Sequence, residues 1–136
     1  MVPTTAELPT GLTGNLVRTI LVVEDEEAIR ACVSEFLRDS GFDVLEAGDV
    51  PDAREILLDR AVDLVFSDIN LPCGENGFAL EKWVRRHCPQ VNVLLTSGYP
   101  QPANDIKDLA KPLIPKPYRH AELLRRIEAC FVANTG

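Results

Sequence analysis

The sequence predicts an α/β domain built on a doubly wound, five-stranded parallel sheet. Two observations carry the prediction. Apolar runs of strand length alternate with amphipathic stretches of helix length along nearly the whole chain. The runs are also apolar at consecutive positions rather than at every second one. A strand that is apolar on both sides has to be covered on both sides, which is the condition of a parallel sheet with helices above and below.

Taken in order, the first strand is TILVVED (19–25), and a helix follows over about 27–40, with Ile29, Val33, Phe36 and Leu37 on one face. Gly41 comes next, a residue suited to the position just past a helix end. FDVLEA (42–47) precedes a helix over about 51–60. VDLVFSD (62–68) precedes one over about 77–88, which Pro89 closes. VNVLLTS (91–97) is followed by a weaker helix over about 102–110, where Pro102 and a shortage of apolar residues dilute the pattern. PLIP (112–115) leads to the last helix, over about 120–132, with Leu123, Leu124, Ile127 and Phe131 on one face. Residues 1–16, rich in Pro, Thr and Gly, predict a flexible arm or linker. The domain is therefore expected over 17–133, with 134–136 as a tail.

Composition removes several function classes. A chain of 136 residues, 46% hydrophobic and 26% charged, is long enough to bury one core of its own. A net charge of −7 argues against direct binding of nucleic acid, whose affinity comes largely from Lys and Arg neutralising phosphates. Cys32, Cys73, Cys88 and Cys130 stand far apart, without a CxxC pair, so neither a zinc site nor a disulfide framework is indicated. No apolar run has the roughly 18 residues of a membrane span, and the N-terminal stretch lacks the apolar region of a signal peptide. A soluble, cytoplasmic domain without membrane contact is the expectation.

In a doubly wound sheet, function gathers at the carboxyl ends of the strands, near the point where strand order reverses. There the first strand ends in Glu24-Asp25, the third in Asp68, the fourth in Thr96-Ser97-Gly98 and the fifth in Lys116-Pro117. Each alone has an ordinary explanation: acids near a helix start complement its dipole, an aspartate caps a turn, a loop lysine is solvated. Three carboxylates, a hydroxyl and a lysine at one sheet edge are harder to assign to chance. Close carboxylates repel and raise one another's pKa, so such a cluster is a seat for a hard divalent ion. Mg²⁺ takes oxygen ligands and keeps room for phosphate oxygens, and an aspartate can attack phosphorus to form an acyl phosphate. Lys116 and Thr96 are the groups suited to neutralising and orienting a phosphoryl group.

These residues resemble one family, the receiver domains of two-component response regulators. ILVVEDE is similar to the family's first-strand acidic pair, LVFSDINLP to its acceptor strand and turn, LLTSGYP to its hydroxyl motif and IPKPY to its Lys-Pro motif. The resemblance covers about residues 18 to 132. It implies the strand order 2-1-3-4-5 of the flavodoxin-like receiver fold. It also implies that Asp68 is the phosphoacceptor, that Asp25 binds Mg²⁺ directly, that Glu24 holds it chiefly through water, and that Asn70 offers its main-chain carbonyl. Thr96 would bond a phosphoryl oxygen, Lys116 would pair with its charge, and the Lys116-Pro117 bond would be cis.

By the same resemblance the domain is not an enzyme in its own right. It takes a phosphoryl group from a histidine kinase or histidine phosphotransfer protein and switches a surface read by a downstream protein. It would stand alone or within a hybrid histidine kinase, with homodimerisation left open. Two departures stand out. The loop Pro72-Cys73-Gly74-Glu75-Asn76-Gly77 is one residue longer than the family's common form, and Leu113 stands where many members have an aromatic. The alternative function, a small Mg²⁺-dependent aspartyl-phosphate phosphatase, normally needs an acid two positions after the nucleophile, where this chain has Asn70. A flavin module of the same topology would need a phosphate-binding loop after the first strand, where Glu24-Asp25-Glu26-Glu27 would repel one.

Overall fold

The consecutive apolar residues of each strand divide between two cores. In the computed structural model, which describes residues 17–98 and 113–135, the order is β1 (Thr19–Val23), α1 (Glu27–Asp39), β2 (Asp43–Ala47), α2 (Val50–Asp59) and β3 (Leu64–Asp68). Then come α3 (Gly77–His87), β4 (Asn92–Ser97), β5 (Leu113–Pro115) and α4 (His120–Thr135). The strands form one parallel sheet in the order β2-β1-β3-β4-β5. Leu21, Val23, Val65, Val93 and Leu95 face α2 and α3, meeting Val50, Ala53, Leu57, Leu80 and Val84. Their neighbours Ile20, Val22, Leu64, Phe66 and Leu94 face α1 and α4, meeting Val33, Leu37, Leu123, Ile127 and Phe131. Every residue of β3 and β4 is buried, as expected of central strands covered on both sides. Full burial of one such aliphatic side chain contributes about 1.5–3 kcal/mol.

The helix ends follow local chemistry. Asp49 caps α2 by accepting the Asp52 N–H at 2.9 Å, and Asn76 caps α3 by accepting the Ala79 N–H at 3.0 Å. Gly41, at φ 102°, takes the left-handed conformation that ends α1, and Phe42 N–H returns to the Leu37 carbonyl at 3.2 Å. The longer loop before α3 is taken up by two successive left-handed residues, Cys73 at φ 70° and Gly74 at φ 79°. For Cys73 that conformation costs roughly 1–2 kcal/mol.

One helix-face expectation needs correcting. Ile29 does not join Val33 and Leu37 in the core and is 38% exposed. It stands in the first turn of α1, which starts four residues past the end of β1 and so overhangs the sheet's end. The expected arm at 1–16 and the helix over about 102–110 lie outside the described residues. No helix among those described is long and apolar enough to cross a membrane.

Candidate functional site

Strand register builds the site. Val23 pairs with Ser67, Asp68 with Thr96 and Thr96 with Ile114, so the residue after Val23, which is Glu24, comes level with Asp68 and Thr96 in one row across the carboxyl end of the sheet. The reversal of strand order falls between β1 and β3, and the crevice opens there. Glu24, Asp25, Glu26, Asp68, Asn70, Gly98 and Lys116 line a cleft of about 520 Å³.

All six residues singled out in the sequence lie at this edge. Oxygens of Glu24, Asp25 and Asp68 lie within 4.8 Å of one another. Lys116 Nζ donates to Asp68 Oδ2 at 2.9 Å and stands 3.7 Å from Glu24 Oε1. The Lys116-Pro117 peptide is cis. Asp68 Oδ1 accepts the N–H of Asn70 at 3.1 Å, and Glu24 Oε2 accepts the N–H of Glu26 at 3.0 Å. Thr96 is buried, and its hydroxyl oxygen has no hydrogen-bond partner among the described residues. A buried hydroxyl without a partner is uncommon, and this one stands next to Asp68 in the sheet.

The charges are unevenly compensated. Burial raises the pKa of Glu24, and the nearby Asp68 charge adds to that rise despite the opposing pull of Lys116 and the Glu26 N–H. Burial pulls the Lys116 ammonium down, but its hydrogen bond to Asp68 and the charges of Asp68 and Glu24 outweigh this and leave its pKa raised. Burial also pushes Tyr118, packed edge-on against Phe66, up to about 12. Among the described residues, the three clustered carboxylates thus meet one ammonium. An all-oxygen donor set with surplus negative charge fits a hard cation, and these residues can hold a metal ion.

Three supporting residues have no role assigned from the sequence. Ser97 Oγ accepts the side-chain N–H of Asn70 at 3.2 Å, fixing the turn after Asp68. Gly77 lets α3 close on the end of β3, since a Cβ there would lie 2.6 Å from the Asp68 carbonyl oxygen and 2.8 Å from Ile69 Cα. Arg30 donates to the Glu24 carbonyl at 2.8 Å. For Gly77 a signal existed, a glycine directly after the capping Asn76. For Ser97 and Arg30 the partner lies elsewhere in the chain and leaves no local mark.

Fold and site together define a receiver-type signalling domain. A family model described as the response regulator receiver domain matches residues 20–128, and the chain belongs to that family. It is 31% identical over 124 residues to the phosphate regulon transcriptional regulatory protein PhoB of Pseudomonas aeruginosa, covering 88% of this chain and 53% of that protein. The chain spans about half the length of the curated relatives it matches. Among solved structures, the signal receiver domain of an HD domain-containing protein from Pseudomonas fluorescens is 25% identical with a TM-score of 0.80, covering 88% of this chain and 98% of that one. A CheY-like response regulator receiver domain protein from Methanospirillum hungatei is 24% identical with a TM-score of 0.82, covering 88% and 98%, and bears on the fold alone.

Proposed function

We propose that Asp68 accepts a phosphoryl group from a phosphohistidine on a histidine kinase or phosphotransfer protein, in a Mg²⁺-dependent reaction. A carboxylate oxygen of Asp68 bonds to phosphorus as the P–N bond of the donor breaks, and the imidazole leaves with the electron pair and takes up a proton. The single observation that carries the reading is the pairing of Lys116 with Asp68 at 2.9 Å beside the unpartnered hydroxyl of Thr96. Lys116 neutralises charge that builds on the phosphoryl oxygens, and Thr96 donates to one of them. Asp25, Asp68 and the main-chain carbonyl of Asn70 are assigned as direct Mg²⁺ ligands, with Glu24 acting chiefly through water. Bound there, Mg²⁺ would offset the repulsion between the incoming phosphate and the carboxylates.

Asn70 also weighs against the phosphatase alternative, because its amide, donating to Ser97 at 3.2 Å, cannot act as a general acid. The domain is assigned to residues 17–133, working in the cytoplasm either alone or as one part of a longer protein. Its output is a shift between two surface conformations read by a downstream protein.

Incubation with Mg²⁺ and acetyl phosphate, followed by intact mass measurement, tests this. The expected result is the gain of one phosphoryl group, abolished by Asp68→Asn, which is nearly isosteric but lacks the nucleophile. Continued labelling of Asp68→Asn would overturn the assignment.

A further inference from the structure

Arg30 occupies a place that the proposed chemistry does not explain. It lies near the start of α1 and reaches toward β2, whereas Lys116 directly follows β5. Its Nη1 donates to the Glu24 carbonyl oxygen at 2.8 Å, and its Nε donates to Glu46 Oε1, on β2, at 3.2 Å. The other oxygen of Glu46 is taken by Arg38 Nη2 at 3.1 Å, and the same nitrogen bonds the Val44 carbonyl at 3.1 Å. A Cβ on residue 48 would lie 3.4 Å from Arg30 Nη1, so Gly48 leaves the guanidinium its room.

These contacts act on one peptide unit. β1 ends at Val23, and the Glu24 N–H is still held by the Ala47 carbonyl at 3.0 Å. The Glu24 carbonyl belongs to the next peptide, the one that leads to Asp25, and Arg30 holds it there. Asp25 is exposed, so the orientation of that peptide is what carries its carboxylate to Glu24 and Asp68. The Arg30 charge is largely spent on Glu46, to which it is ion-paired with both side chains partly buried. What Arg30 contributes to the site is therefore geometry more than charge.

We infer that Arg30 is a positioning residue for the divalent cation: by clamping the Glu24–Asp25 peptide against β2 it presets Asp25 as a ligand. This rests on the Mg²⁺-dependent reading above. Partners that orient ligands in this way typically change metal affinity by one to two orders of magnitude when removed, roughly 10–100-fold.

The test is Mg²⁺ titration by calorimetry on the wild type, Arg30→Ala and Arg30→Lys, well below each variant's unfolding midpoint. Lysine keeps the charge and the aliphatic stem but lacks the planar fork that reaches the carbonyl and Glu46 together. Both variants are expected to bind Mg²⁺ about tenfold more weakly. Their acetyl phosphate labelling at saturating Mg²⁺ should recover to within about threefold of wild type, because a looser ligand is offset by mass action. Wild-type affinity in Arg30→Lys would overturn the positioning role, with a weakened Arg30→Ala then reporting charge alone. If Arg30→Ala does not fold, Arg30→Lys decides by itself. A wild type that labels on Asp68 while both variants bind Mg²⁺ normally overturns this inference and leaves the proposed function standing. A wild type that neither binds nor labels removes both.

Discussion

Two aspartates bracket β3 and do opposite work. Asp63, just before the strand, accepts the Thr19 N–H on Oδ2 at 2.7 Å, returns its own N–H to the Thr19 carbonyl at 2.8 Å and offers its carbonyl to the Asn92 N–H at 3.1 Å. It ties the amino ends of β1, β3 and β4 together. Asp68, the last residue of the strand, stands among Glu24, Asp25 and Lys116 beside the unpartnered Thr96 hydroxyl. Residue type is the same at both ends, as is the parallel sheet between them. The surroundings differ: backbone N–H groups and carbonyls meet Asp63, whereas Asp68 shares its space with two more carboxylates. Backbone partners make the first aspartate part of the frame, and a surplus of like charge suits the second to a cation.

Breaking the reactive end should have the largest effect. Lys116→Ala removes the ammonium that holds Asp68 at 2.9 Å. It is expected to slow acetyl phosphate labelling about a hundredfold, the usual loss for one preorganised charge-stabilising donor. Intact-mass time courses measure this, and an unchanged rate would show that the lysine pairs with Asp68 only in the resting state.

Breaking the frame end should do the converse. Asp63→Ala leaves the Thr19 N–H without its acceptor and is expected to cost about 1–3 kcal/mol in urea unfolding. Labelling of the folded fraction should stay within about twofold of wild type. Slowing comparable to that of Lys116→Ala would mean that the two ends of the sheet are coupled rather than separate in what they do.

A smaller effect sharpens the electrostatic side. Burial raises the Glu24 carboxyl in the metal-free fold, so folding favours its protonated form. The stability linked to that proton is fully present below the ordinary carboxylate range and is lost as pH rises through the folded-state value. Glu24→Gln is neutral throughout, so it should raise the metal-free unfolding midpoint at neutral pH. The difference should vanish in acid. A midpoint lower than wild type at neutral pH would show that the Lys116 attraction outweighs burial.

The smallest effect is expected at Leu113, half-buried on β5 and packed against the core shared with α2 and α3. It is not among the described residues that line the cleft, so Leu113→Tyr should leave the labelling rate within about threefold of wild type. A larger loss would place that position in the chemistry rather than beside it.

Much of this arrangement follows from the sequence by itself. Consecutive apolar residues in VVED, LVFSD and VLLTS require strands covered on both faces. The alternation with helical segments then makes the sheet parallel, which brings the strand ends carrying Glu24, Asp25, Asp68, Thr96 and Lys116 to one edge. Those are local properties, encoded in which residues can face a core. The strand order was legible only through the family resemblance of the motifs, because several orders satisfy the same periodicity. Tertiary structure alone decided the rest. Pairing Asp68 with Thr96, and Val23 with Ser67, is a matter of register, and register comes from packing between segments distant in the chain. The exposure of Ile29 depends on where β1 stops beneath α1. Arg30 reaching the Glu24 carbonyl and Glu46, Ser97 holding Asn70 and Gly77 fitting against the Asp68 carbonyl all join groups whose partners lie outside their own helix or strand. Periodicity says which way a side chain faces within its own element, and only the packed sheet says what it meets there.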